Sequence, residues 1–161
     1  MSKDQFFNGL KIVEFASVLA GPAVGMYFAE LGAEVIKIEN KTTGGDMTRG
    51  WKLPSENPES AISAYFCSVN WGKTHLFLDL NEREDLEQAR KLALEADVVV
   101  SNFKLGSAKR LGLDAESLRA EQPRLIYAQL RAFPDPEDEG PAFDVLMQAE
   151  AGFLHMTGEP G

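Results

Sequence analysis

The chain has 161 residues, of which 44% are hydrophobic, enough to bury one core and so to form a single domain. A formal net charge of −9 and a pI near 4.7 exclude binding through a broad positive field to DNA, RNA or acidic membranes, so an anionic ligand has to be held by a few local cations. The opening MSKDQFFNGL has no long apolar run and later apolar stretches are broken by charge, which predicts neither a signal peptide nor a membrane span. The single cysteine, Cys67, cannot form an internal disulfide and fits a reducing cytoplasm.

Lys11 to Phe15 is rich in β-formers and predicts a strand. It runs into Ala20-Gly21-Pro22, where Gly21 is expected to take backbone angles closed to other residues and Pro22 suits a first helical turn. Val24, Phe28 and Leu31 recur at helical spacing, and Gly32 ends that helix. Glu34 to Glu39 alternates charged and apolar side chains as a second strand. Glu39 lies about 20 residues past the turn, where ribose-binding acids sit. Gly21 and Gly25 do not complete G-x-G-x-x-G, which disfavours a plain dehydrogenase. Lys41 to Glu59, rich in Gly, Pro and polar residues, reads as a surface loop.

Thr74 to Leu80 predicts a strand, with Asn81 as N-cap and Glu84 in capping-box position for a helix whose stripe is Leu86, Ala89, Ala93 and Ala96. Asp97 to Ser101, with three successive valines, reads as a strand buried on both faces. Asp114 caps a short helix to Gln122, Pro123 ends it, and Leu125 to Leu130 is a further strand. Pro134 to Pro141, with four acids, reads as a second loop. Asp144 is expected to cap a last helix through Leu146, Met147, Ala149 and Ala151, ended by Gly152. The repeated β-α-β order predicts a doubly wound sheet.

In such a sheet the ligand sits beyond the carboxyl ends of the strands, here near Ser17 to Gly21, Asn40, Leu80-Asn81, Asn102 to Lys104 and Arg131. Other catalytic patterns fare poorly. His75 and His155 have no Cys or carboxylate at metal-ligand spacing, and Cys67 is expected to pack in the core with Tyr65, Phe66 and Val69. There is no G-x-S-x-G elbow, and Asp135, Glu137, Asp138 and Glu139 read as a solvated loop.

The blocks LAGP, LGAEVIKIE and GGDMTRGW are followed by Ala64-Tyr65-Phe66 with Asn70 and Lys73, Leu78-Asp79-Leu80, Ala96-Asp97-Val98 and Asn102-Phe103. Arg110-Leu111-Gly112, Pro123-Arg124-Leu125-Ile126-Tyr127 and Thr157-Gly158-Glu159-Pro160 complete the series. In order and spacing they closely resemble the start of the family III CoA-transferases, the group that includes formyl-CoA transferase, carnitine CoA-transferase and the 2-methylacyl-CoA racemases. The resemblance implies an α/β, Rossmann-like doubly wound, mostly parallel sheet with flanking helices. Because family members are much longer, residues 1–161 are expected to be the amino-terminal part of a CoA-binding large domain.

The implied reaction exchanges CoA between an acyl-CoA thioester and a free carboxylic acid, through an aspartyl-CoA intermediate and without metal or redox cofactor. The full-length enzyme is expected to be an interlocked homodimer. CoA needs an apolar slot and several cations; Lys41, Lys73, Lys104, Arg110 and Arg131 are the candidates. The resemblance puts Arg110 in contact with CoA. It also assigns to the lining of the site Leu19, Ala20, Asn40, Leu78, Asp79, Leu80, Asn81, Asn102, Phe103, Lys104, Ala142, Phe143 and Asp144.

Two positions depart from formyl-CoA transferase. Asn40, with Lys41 beside it, stands where that enzyme has a basic residue, and Leu19 replaces its glutamine near the reaction centre. The family's nucleophilic aspartate follows a short apolar stretch after the Thr-Gly-Glu-Pro-Gly turn. It is therefore expected beyond Gly161, which leaves this chain without a catalytic residue and inactive alone. Phe143 stands where the racemases use a histidine and cannot move a proton, which disfavours that branch. The reading from another class is a non-catalytic CoA-binding or interaction module.

Overall fold

The computed structural model describes residues 6–133 and 143–158. Five strands, β1 (Lys11–Phe15), β2 (Glu34–Asn40), β3 (Thr74–Leu78), β4 (Val98–Ser101) and β5 (Ile126–Gln129), form one all-parallel sheet in the order β3-β2-β1-β4-β5. Between them run the helices α1 (Ala20–Glu30), α2 (Ala64–Asn70), α3 (Arg83–Glu95), α4 (Leu105–Arg110) and α5 (Ala115–Glu121). The order reverses at β1, whose neighbours are β2 on one side and β4 on the other. A crevice opens beyond the carboxyl ends of strands at such a point.

The alternation along each strand separates two cores. Val13, Phe15, Ile38, Leu78 and Val99 face α3 and α5, packing with Ala89, Ala93, Leu113 and Leu118. Ile12, Val35, Val98 and Val100 face the other way and pack with Val24, Phe28 and Ala29 of α1. Ala89 and Ala93 have no exposed surface, so small side chains let α3 lie close to the sheet. Gly32, at φ +99°, ends α1 as expected, and Asp114 caps α5 by accepting from the amides of Glu116 and Ser117.

Several expectations are corrected. Gly21 sits inside α1 rather than in a left-handed turn; a Cβ there would lie 2.3 Å from the Ala16 Cβ, so close approach is what calls for glycine. Asn81 does not cap α3: its side chain turns to Asp79 Oδ1 at 2.9 Å, and Glu82 holds the N-cap position without a side-chain bond. Cys67 is exposed, because α2 buries Phe66, Val69 and Asn70 instead. The stretch after β2 is more than a surface loop. It contains two 3-10 turns, Lys41–Thr43 and Met47–Gly50, in which Asp46 and Thr48 are buried. Neither α2 nor α4 was expected from the pattern.

Further along that stretch, the Lys52 ammonium donates to the carbonyl oxygens of Asn57 at 3.1 Å, Pro58 at 2.7 Å and Ser60. Glu56 accepts from the amides of Leu53 and Ala64 at 2.6 and 2.5 Å, so this segment folds around its own charged side chains.

Residues 131–161 form a separate unit. Within it α6 (Asp144–Glu150) and α7 (Phe153–Met156) follow one another through Gly152 at φ +79°. Asp144 is the first residue of α6 rather than its cap. Phe143 takes the N-cap position, and the Asp144 carboxylate accepts from Gln148 Nε2 one turn on. Residues 134–142, which include the predicted acidic loop, lie outside the described residues. Among the described residues no helix is long and apolar enough to cross a membrane.

Candidate functional site

A cavity of about 500 Å³ opens at the carboxyl ends of β1, β2 and β4. Its wall comes from Phe15, Ala16 and Ser17 after β1, from Ile38, Glu39 and Asn40 at the end of β2, and from Thr43, Gly45, Asp46 and Met47 in the 3-10 segment. Asn102, Phe103, Lys104 and Ser107 after β4 complete it, and Lys37 reaches it from below. The floor is apolar, with the Phe15 and Phe103 rings 5.7 Å apart at a 34° tilt. The Asn102 side chain clamps the Ser17 backbone, accepting from its amide at 3.2 Å and donating to its carbonyl at 3.0 Å. Gln129 Nε2 fixes the Phe103 carbonyl at 2.8 Å. The two strand ends that flank the switch point are thus held at a defined separation.

Beneath the rim lies a network of buried charge. On the α1 side of the sheet the amino-terminal halves of the strands are apolar, while further along Glu14, Lys37 and Glu39 point the same way and are almost wholly buried. The Lys37 ammonium bonds Glu14 Oε1 at 3.0 Å, Asp46 Oδ2 at 3.1 Å and the Ala16 carbonyl. Lys73 holds the other Glu14 oxygen at 2.8 Å, the Pro22 carbonyl at 2.7 Å and Asn70 Oδ1 at 3.0 Å. Burial pushes the Lys73 ammonium down to about 8 against the opposing pull of Glu14.

Glu39 accepts from Arg49 at 2.7 and 2.6 Å, from the Asp46 amide at 2.8 Å and faces His75 Nδ1 at 2.7 Å. Burial raises its carboxyl, but the bonds from Arg49, His75 and Asp46 outweigh it and hold the group well below the usual carboxylate range. Glu39 therefore has no oxygen left for a ribose, which corrects that expectation. The space for this network depends on glycines. A Cβ on Gly25 would lie 2.0 Å from Glu14 Oε2, and one on Gly45, at φ +100°, 2.5 Å from Glu39 Oε2.

The sequence-derived candidates divide accordingly. Asn40, Asn102, Phe103 and Lys104 come together in the cavity wall. Leu19 and Ala20 lie at the start of α1, outside that wall, and Leu19 is half exposed. Leu78 is buried in the core facing α3, and Asp79, Leu80 and Asn81 form the turn after β3; none of the four lines the cavity. Arg110 ends α4, exposed and also outside the wall. Lys73 is engaged in the buried network and is not available as a ligand cation, and Lys41 lies 4.0 Å from Asp85. Arg131, Phe143 and Asp144 belong to the second unit, and Ala142 lies outside the described residues. Lys37, Asp46 and Thr48 were missed; their one signal was a lysine and glutamate inside a strand, followed by Gly-Gly-Asp.

The sequence model of CoA-transferase family III matches residues 7–161. The chain is 40% identical over 158 residues to the succinate–glutarate CoA-transferase of Agrobacterium fabrum, covering 95% of this chain and 39% of that protein. It is 41% identical over 159 residues to the succinyl-CoA:mesaconate CoA-transferase of Haloarcula hispanica, covering 94% and 40%. The crystal structure of a CAIB/BAIF family protein from Brucella suis superposes with a TM-score of 0.82 at 42% identity, over 96% of this chain and 41% of that one. The chain thus spans about two fifths of the length of the relatives it matches.

Proposed function

The chain belongs to CoA-transferase family III, and on that premise we propose that it is the CoA-holding part of an enzyme that moves CoA from an acyl-CoA thioester to a free carboxylic acid. The observation that supports this most is the cavity at the switch point, with an apolar floor of Phe15 and Phe103, polar Asn40 and Asn102 on its walls, and the exposed ammonium of Lys104 at its edge. An apolar floor suits a flat base, and a cation at the rim suits a phosphate. The relatives named above act on succinate, glutarate or mesaconate. A small dicarboxylate is accordingly the acceptor class we propose.

The role is holding rather than covalent chemistry. The two carboxylates in the cavity wall, Glu39 and Asp46, already accept several hydrogen bonds each and face cations, so neither is free to attack a thioester carbonyl.

Calorimetric titration of the 161-residue chain with CoA at low salt tests the reading. Saturable one-to-one binding that weakens about tenfold in Lys104→Ala is expected, as for loss of one charge-assisted hydrogen bond. No binding at millimolar CoA overturns it. With succinyl-CoA and glutarate the same chain is expected to give no exchange; steady turnover would show that it carries a nucleophile of its own.

A further inference from the structure

Val18 is the one non-glycine residue with a positive φ, +72°, among the described residues. A β-branched side chain resists that conformation, so the surrounding structure has to impose it. The imposing group is visible. The Val18 amide points at the Asp46 carboxylate, 3.3 Å from Oδ1 and 3.1 Å from Oδ2. Asp46 is buried and its oxygens also take the Thr48 hydroxyl at 2.8 Å, the Thr48 amide at 3.1 Å and the Lys37 ammonium at 3.1 Å. Thr48 is tied onward, since its carbonyl accepts from Ser63 Oγ at 2.6 Å and Ser63 caps α2.

We infer that Asp46 is a positioning residue. Its carboxylate holds the turn between β1 and α1 in a strained form and couples that turn to the end of β2 and to the 3-10 segment, so that three sides of the cavity rim are set by one buried group. Asn102 sets the adjacent Ser17 from the other side. Without Asp46 the turn would relax to negative φ at Val18 and swing Ser17 and Ala16 out of the wall they form. The consequence for ligand binding rests on the CoA reading above; the holding of the turn does not.

The test combines Asp46→Asn with Val18→Gly, because glycine adopts the same φ without strain. In Asp46→Asn the Val18 amide is expected to lose hydrogen-exchange protection and CoA affinity to fall about tenfold, the scale of one released backbone strain. Adding Val18→Gly should restore the affinity. A carboxylate that served only to neutralise Lys37 would not be rescued by a glycine two elements away, so failure of rescue overturns the inference. An NMR coupling across the hydrogen bond, between the Val18 nitrogen and the Asp46 carboxylate carbon, is expected in the unmodified chain; its absence overturns the inference without any variant. If the unmodified chain binds no CoA, the functional reading fails, while the coupling and the exchange of the Val18 amide still decide the role of Asp46.

Discussion

Glu14 and Lys37 are register partners on neighbouring parallel strands, and their side chains meet at 3.0 Å with neither exposed to solvent. Two charges at the centre of a sheet are costly to desolvate, and they persist because each is bonded several times over, Glu14 also by Lys73 and Lys37 also by Asp46.

Removing one member should therefore cost more than the pair contributes. Lys37→Met leaves Glu14 and Asp46 short of a cation in a dry site, and a loss of about 3–5 kcal/mol in urea unfolding is expected. A loss below about 1 kcal/mol would mean that water reaches the site.

Gly25→Ala tests the same network through volume. The added methyl meets Glu14 Oε2 at 2.0 Å and Lys73 Cε at 3.2 Å. A helix interior would ordinarily favour alanine, yet here a destabilisation of about 1–3 kcal/mol is expected from overpacking. Gly50→Ala, where a Cβ meets open space, is the control and should stay within about 0.5 kcal/mol.

Acid should be felt through Glu39. Its carboxyl is more acidic folded than its ordinary 4.5, so the folded state binds fewer protons than the unfolded one at low pH. The stabilisation is complete above the unfolded value and is lost progressively as pH falls below 4.5 toward the folded value. The stability difference between the unmodified chain and Glu39→Gln should be flat from neutrality to about pH 5.5 and shrink below about pH 4.5. A difference that stays constant down to about pH 3 would contradict the arrangement of Arg49 and His75 around this group.

Arg110→Ala examines the contact that the family resemblance assigns to that residue. The side chain is exposed, so thermal stability should hardly move. CoA affinity should nevertheless drop, because a ligand as long as CoA reaches beyond the cavity wall. Unchanged affinity removes Arg110 from the site.

What was legible in the sequence is what depends on local pattern. Lys11–Phe15 and the stripe of Ala89 and Ala93 read correctly, because residue preference and period act within a few residues, whereas the cap expected at Asn81 is lost to a local bond with Asp79. Asn40 and Asn102 to Lys104, expected beyond the carboxyl ends of β2 and β4, line the cavity found there. The buried charges were not legible. Lys37 and Glu39 alternate with Ile36 and Ile38 just as a solvated face would, and period alone cannot tell that Asp46 and Arg49, brought back by the 3-10 segment, cover that face. Helices α2 and α4, at seven and six residues, are too short for a periodic signal. Cys67 was misplaced because an unrecognised helix has an unrecognised outer face.

The carbonyl oxygens of Asn57, Pro58 and Ser60 converge on the Lys52 ammonium much as they would on a bound alkali or alkaline-earth ion. Here the cation is covalently part of the chain. It cannot be diluted away, exchanged for a competitor or stripped by a chelator, and the shape of the segment leading into α2 is thereby insulated from the ionic composition around it. The same design concentrates the vulnerability in one nitrogen. Acetylation of Lys52 would erase the charge and leave three carbonyls facing one another, so a modification at the surface would act on this fold as metal loss acts on others.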